Sequence, residues 1–323
     1  MRRQVMQTML GWVLALGLAA GAWGQQRPQY SQYFTNYLLL NPALAGTTNG
    51  LDLRSGARLQ WLGFADAPRS IYGTLQGRVG RSGRAFYSKT QKEPVSFHGL
   101  GGQIQADVTG PTSRTSAYLS YAYNLAISKR VRMAVGGQVG LQQFALNADG
   151  LRYSAQGSAG QVLSFARTFP DAGVGLWMYS DRFFVGGSVL QLFRNQFVAE
   201  DARLGIYTAR RHAFATAGYG LAVGKDWVLT PSVLLKWVAP APFAVDLNMK
   251  ARYQDRFWAG LSYRYQDAVV AMAGLSLGQG FDASYSYDFA ASALAGYQRG
   301  SHELTVGYRM QAARKLTYTD FWR

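Results

Sequence analysis

The sequence predicts an all-β protein, a fourteen-stranded antiparallel transmembrane β-barrel with an N-terminal periplasmic segment, and three observations predict it. Segments near the C-terminus alternate with a period of two. In 281–289 every odd position is aromatic or Ala and every even position is Ser or Asp. Composition is the second: 14% aromatic residues and 37 Gly accompany only 15% charged residues, against roughly 25% charge in ordinary soluble domains. Third, turn signals divide the chain into pieces of about nine to fifteen residues, the length a tilted strand needs to cross a bilayer. One alternating strand would suit a soluble sandwich equally well. The combination with export, low charge and no run of 18 apolar residues after residue 25 selects the barrel.

Taken in order, Met1-Arg2-Arg3, an apolar run over 13–20 and Ala22-Trp23-Gly24 read as a secretory signal peptide, 1–24, removed from the mature protein. The run falls short of the ~20 apolar residues of a spanning helix. No Cys follows the cleavage site, which excludes a lipoprotein anchor, and the 323 residues contain none at all. An exported chain of this length buries a large core without disulfides. Losing Arg2 and Arg3 takes two charges from the formal +16 and leaves +14. Export and the scatter of the positive residues argue against nucleic acid; lipopolysaccharide phosphates, peptidoglycan or an acidic protein suit such a surface better.

Residues 25–50 form a preamble that a barrel does not require. Tyr33, Phe34, Tyr37, Leu38, Leu39 and Leu40 are too much apolar surface to leave solvated, and Asn41-Pro42 ends any short helix there. The segment is expected to pack into the periplasmic mouth as a plug or docking surface, with a purely structural lid as the alternative. Gln32, Tyr33, Asn36, Asn41, Pro42, Ala45 and Gly46 are its candidate contact residues.

The barrel proper is expected over 51–311, with strands at 51–59, 70–79, 97–109, 115–126, 131–147, 171–179, 183–193, 211–223, 227–238, 244–253, 257–265, 269–277, 281–289 and 301–311. Tight connections at 128–130, 180–182, 224–226, 254–256 and 278–280 alternate with longer ones at 148–170, 194–210 and 290–300, as short periplasmic turns and long outer loops should. The long, basic 80–96 breaks this rule: either a strand is miscounted there or it is a functional periplasmic loop. Residues 312–323 extend past the last strand as a tail.

Alternation assigns faces. In 257–265, 269–277 and 303–310 one set is apolar, and the charges fall on the other. A basic residue on the lipid face at midplane costs ~2–4 kcal/mol, so Arg264, Asp282, Asp288, Glu303 and Arg309 should point into the lumen. Inward Gly260, Gly274 and Gly307 leave room for large lumen side chains such as Trp258, or let strands curve. Trp61, Phe64 and Arg69 fall at the first outer loop, as a partner site or as interface girdle residues. The outer loops carry Arg152, Arg167, Arg194, Arg203 and Arg210, which suit an anionic surface partner or plain solvation.

His98, His212 and His302 lie in three separate strands without metal-ligand spacing or a serine elbow. His302 and Glu303 occupy opposite faces of one strand. No phosphate-loop pattern accompanies Gly101-Gly102 or Gly136-Gly137. The expectation is a non-enzymatic protein with no metal and no cofactor.

The preamble Gln29-Tyr30-Ser31-Gln32-Tyr33-Phe34-Thr35-Asn36, its continuation Asn41-Pro42-Ala43-Leu44-Ala45-Gly46, then Arg58-Leu59-Gln60-Trp61-Leu62-Gly63-Phe64 and Ala67-Pro68-Arg69, resemble the PorP/SprF family of type IX secretion system outer-membrane proteins. Ser262-Tyr263-Arg264-Tyr265-Gln266-Asp267, Tyr285-Ser286-Tyr287-Asp288-Phe289 and Gly300-Ser301-His302-Glu303-Leu304 resemble that family's usual ending. The resemblance implies a fourteen-stranded barrel in the cell outer membrane, serving the secretion and gliding machinery. It also implies partners: a periplasmic peptidoglycan-binding lipoprotein, secretion ring proteins and, as for some members of the family, a cognate surface adhesin with a type IX sorting domain. The residues by themselves leave a second reading open, a diffusion pore or uptake barrel lined by the inward charges.

Overall fold

The computed structural model describes residues 29–48, 50–79, 95–148, 164–198, 206–254, 256–291, 296 and 298–310. The expected signal peptide 1–24, most of 80–96, the expected tail 312–323, and Arg152 and Arg203 of the expected outer loops lie outside them. Its strands sort side chains in the reverse sense of a soluble protein. Leu119 is 73% exposed and Leu277 66%, while Gln142, Ser286 and Glu303 are fully buried. Only hydrocarbon outside the sheet makes that arrangement favourable.

The strands are β1 (Leu51–Leu59), β2 (Arg69–Val79), β3 (Phe97–Thr109), β4 (Thr112–Ala126), β5 (Arg132–Leu146), β6 (Phe165–Tyr179), β7 (Phe183–Leu190), β8 (Gln196–Val198), β9 (Ile206–Thr208), β10 (His212–Tyr219), β11 (Leu221–Val223), β12 (Trp227–Trp237), β13 (Ala244–Tyr253), β14 (Phe257–Arg264), β15 (Ala268–Gly278), β16 (Phe281–Ala290) and β17 (Ser301–Met310). β8 and β9 pair with each other as a short separate hairpin. β10 and β11 are two parts of one barrel strand, interrupted at Gly220. The register places the break beside Pro231 of β12, which has no N–H to donate to the ladder. The barrel therefore has the expected fourteen strands. β1 pairs with β17 from Leu51↔Met310 to Leu59↔His302 and closes it, so among the described residues the barrel sheet has no open edge strand.

Three boundaries differ from the sequence expectation by three residues or more: β7 ends at Leu190, not 193, and β6 and β4 begin early. β6 begins at Phe165, not 171, and runs through Pro170. There β6 has β5 on one side but lies beyond its last β7 partner, Gly173↔Leu190, a position where proline is tolerated. β4 begins at Thr112, which leaves Gly110-Pro111 as the turn after β3. No strand is miscounted at 80–96, because β2 and β3 pair directly up to Val79↔His98. Short connections cluster at the end carrying residues 51 and 310, which makes that end periplasmic.

Candidate functional site

Residues 29–48 lie inside the barrel. Three 3₁₀ turns, Tyr33–Thr35, Tyr37–Leu39 and Pro42–Leu44, carry most of the apolar side chains that the sequence left without a home. Tyr33, Phe34, Tyr37, Leu38, Leu39 and Leu44 are all buried. An aromatic chain crosses the lumen. Trp258 of β14 meets Phe34 at 5.4 Å between ring centroids, Phe34 meets Tyr33 at 5.9 Å, Tyr33 meets Tyr37 at 5.9 Å, and Tyr37 meets Trp177 of β6 at 5.4 Å. Burial pushes the Tyr33 and Tyr37 hydroxyls well above the ordinary tyrosine value, so both stay neutral.

The segment reaches further than the periplasmic mouth anticipated from sequence. At its periplasmic end Arg78 Nε donates to Gly46 O at 3.1 Å. At its start Gln29 reaches a chamber bounded by Trp61, Pro68 and Thr109 on the outer side. Lumen side chains alone are too short to fill a fourteen-stranded barrel; twenty residues of chain fill it instead.

Two devices hold the segment. The first is a buried ion cluster beneath the outer chamber. Arg58 Nη2 lies 2.6 Å from Asp288 Oδ2 and its Nη1 3.2 Å from Glu303 Oε2; Arg264 Nη1 lies 3.1 Å from Asp288 Oδ2. Ser31 sits at the centre: its hydroxyl donates to Asp288 Oδ1 at 2.7 Å and accepts from Arg58 and from Arg264 at 2.8 Å. The Ser31 N–H donates to Glu303 Oε2 at 2.6 Å, and Gln32 Nε2 donates to Glu303 O at 2.8 Å. Buried charges on three strands, β1, β14 and β16, thus share one hydroxyl of the lumen segment, and Glu303 of β17 holds its backbone. Paired and hydrogen-bonded, they avoid the several kcal/mol that a lone buried charge costs.

The second device is a glycine seat under the Asn41-Pro42-Ala43 turn. Asn41 Nδ2 donates to Leu176 O at 2.9 Å and Gly187 O at 3.2 Å, and its Oδ1 accepts from Ala43 N–H at 2.9 Å. A Cβ on Gly136 would come within 2.5 Å of Ala43 Cα, and Cβ atoms on Gly99 and Gly175 would overlap Ala45 O and Asn41 Oδ1. Glycine is required where two backbones approach this closely. Gly46, with φ at 70°, turns the chain out of the seat towards β1.

Of the residues singled out in the sequence, Gln32, Tyr33, Asn36, Asn41, Pro42, Ala45 and Gly46 are in this segment. Tyr33 donates to Asn248 at 3.0 Å and Asn36 to Thr74 at 2.9 Å. Arg264, Asp288 and Glu303 meet at the upper cluster. Asp282 and Arg309 belong to a lower one: Arg54 forks onto Asp282 at 3.0 and 3.1 Å, and Asp52 bridges Arg54 at 3.0 Å and Arg309 at 3.1 Å. Trp61 lines the outer chamber, Phe64 is exposed in the β1–β2 connection, and Arg69 starts β2 on the exposed face. Sequence reasoning missed Ser31, Arg54 and Arg58. The alternation Asp52, Arg54, Gly56, Arg58 in β1 carries the signal for both arginines; Ser31 carries none.

A family model described as type IX secretion system membrane protein PorP/SprF matches residues 22–308. No curated protein matches the chain. Among solved structures, the Ralstonia pickettii toluene transporter TbuX is similar with a TM-score of 0.50 and 8% identity, over 87% of this chain and 94% of its own. The CymD monoaromatic hydrocarbon channel has a TM-score of 0.50 and 12% identity, over 88% and 94%. At such identities these likenesses concern the barrel fold alone.

Proposed function

This chain belongs to the type IX secretion system membrane protein PorP/SprF family, an outer-membrane barrel family, and from that premise we propose that it is a non-enzymatic anchor of the secretion and gliding machinery. In this reading it couples periplasmic partners, a peptidoglycan-binding lipoprotein and the secretion ring proteins, to the outer membrane and to a cognate surface adhesin with a type IX sorting domain. The observation that carries it is the lumen segment. Residues 29–48 occupy the barrel from the outer chamber to the periplasmic end and are held by charges on four strands. Such a barrel offers a rigid body with two faces, more suited to docking than to flow.

The runner-up is a diffusion pore or uptake barrel, favoured by the outer chamber and by the transport named for TbuX and CymD. It requires the segment to move. Affinity purification of the barrel from its native membrane in mild detergent, followed by mass spectrometry, separates the two. Recovery of a periplasmic lipoprotein, ring proteins or an adhesin is expected. A partner-free barrel that conducts ions in a planar bilayer would overturn the anchoring role.

A further inference from the structure

The lumen is unevenly filled. On the outer side a cavity of about 720 Å³ opens between Trp61, Thr109 and Ala290, with Arg58, Arg264 and Asp288 at its floor. Beside the lumen segment runs a second, apolar cleft of about 90 Å³, between Leu39 and Leu40 on one side and Phe214, Leu234 and Val238 on the wall. Gln29, Lys236 and Ala244 line both, so the cleft opens from the chamber. Its volume is about three waters' worth. Tyr30, Tyr33, His212 and Lys236 also line it, but its larger part is Leu, Phe, Val, Ala and Pro, which offers a short hydrocarbon chain good contact.

The charges at the junction are unequal. Lys236 pairs with Asp246 at 2.8 Å; Arg264 lies 3.7 Å from Asp246, 3.1 Å from Asp288 and 3.9 Å from Asp267; Arg58 pairs with Asp288 and Glu303. Among the described residues these three cations thus face four carboxylates, and Arg114 and Asp107 add one charge of each sign to the chamber lining. Asp267 is the surplus one: its side chain is 52% exposed and its ion pair, at 3.9 Å, is the longest of the set. Tyr265 N donates to Val245 O at 3.0 Å, which places the Asp267 turn next to Ala244 at the mouth of the cleft. Tyr265 and Trp61 line the same chamber, and aromatic faces attract cations.

We propose that the outer chamber binds small amphiphilic primary amines, the ammonium group at Asp267 and an apolar tail of about four carbons in the cleft under Lys236. An ammonium balances the described network, whereas a carboxylate would add to its negative excess. The cleft supplies the tail with contacts that the polar chamber lacks.

The test uses the full mature protein in lipid nanodiscs at pH 7, with ligand-observed saturation-transfer NMR to follow n-pentylamine, n-pentanoate and n-pentanol. Pentylamine is expected to bind at least tenfold more tightly than the other two, and Asp267→Asn to remove that preference. Affinity should rise from ethylamine to pentylamine and then level off as the cleft fills; this series reads the cleft without any substitution. Leu234→Trp, which fills the cleft, should abolish the rise with chain length. Equal binding of pentanoate or pentanol, an amine affinity unchanged in Asp267→Asn, a flat chain-length series, or no binding would each overturn the proposal.

Discussion

Adding one methyl group at Gly136 should loosen the lumen segment, and adding it at Gly137 should not. The two glycines are neighbours on β5 but face opposite sides of the wall. A Cβ at Gly136 would lie 2.5 Å from Ala43 Cα, 2.6 Å from Ala43 N and 2.7 Å from Pro42 O, all main-chain atoms. Restoring an ordinary 3.4 Å contact moves the turn by about 0.9 Å. That displacement strains the two bonds from Asn41 to Leu176 O and Gly187 O on the adjoining strands. Overpacking of this kind costs about 1–3 kcal/mol. At Gly137 the nearest atom to the new Cβ is Gly173 O at 3.7 Å, in ordinary contact. Gly137→Ala should be neutral, or stabilising by a few tenths to ~1 kcal/mol through the unfolded chain. The assay is thermal unfolding of the refolded barrel by circular dichroism, where about 1 kcal/mol corresponds to roughly 2–4 °C in a domain of this size. Single-channel recording adds a second readout, since a displaced segment should raise conductance for Gly136→Ala alone. Equal melting of both variants, or equal conductance, would refute the claim that the Asn41-Pro42-Ala43 turn is seated on β5.

Ser31→Ala removes the hydroxyl shared by Arg58, Arg264 and Asp288 and should cost about 1–3 kcal/mol by leaving buried donors unpaired. Arg58→Met should cost about 3–5 kcal/mol, and denaturant titration of the double variant should give less than the sum of the two, because they break one network. On the lipid face, Leu119→Arg in β4 should destabilise folding into vesicles by about 2–4 kcal/mol, whereas Thr115→Arg, near the outer rim, should stay within ~1 kcal/mol. Tyr37 gives a pH dependence with a defined sign. Its folded value is raised by burial, so its contribution is complete below the unfolded value near pH 10 and is lost as pH rises above it. Phenolate absorbance of the folded barrel titrated to about pH 11 should therefore be the same for wild type and Tyr37→Phe; a deficit in the variant would contradict its burial.

Legibility followed the range of each interaction. Strand existence, number and facing depend on alternation between residues two apart, and the strands were readable to within a few positions. The start of β6 was hidden because Pro170 looks like a stop until its one-sided pairing is known. The apolar burden of 33–40 announced that this stretch must be buried. Which atoms receive it could not be read, since Ser31 meets Glu303 across 272 positions and Asn41 meets Leu176 across 135. Asp52, Arg54 and Arg58 obey the same alternation as Arg264 and Glu303, so inward placement was available from sequence, but not their division into an upper and a lower cluster.

By itself, then, the sequence determined an exported, outer-membrane barrel of fourteen strands, because period-two patterning against hydrocarbon is a local property that needs no partner strand. Only the tertiary structure decided that the preamble threads the lumen to the outer chamber, that glycines of β3, β5 and β6 form its seat, and that one serine hydroxyl joins the charges of three strands. Those are contacts between residues far apart in the chain, made adjacent by barrel closure and by the stagger of its strands.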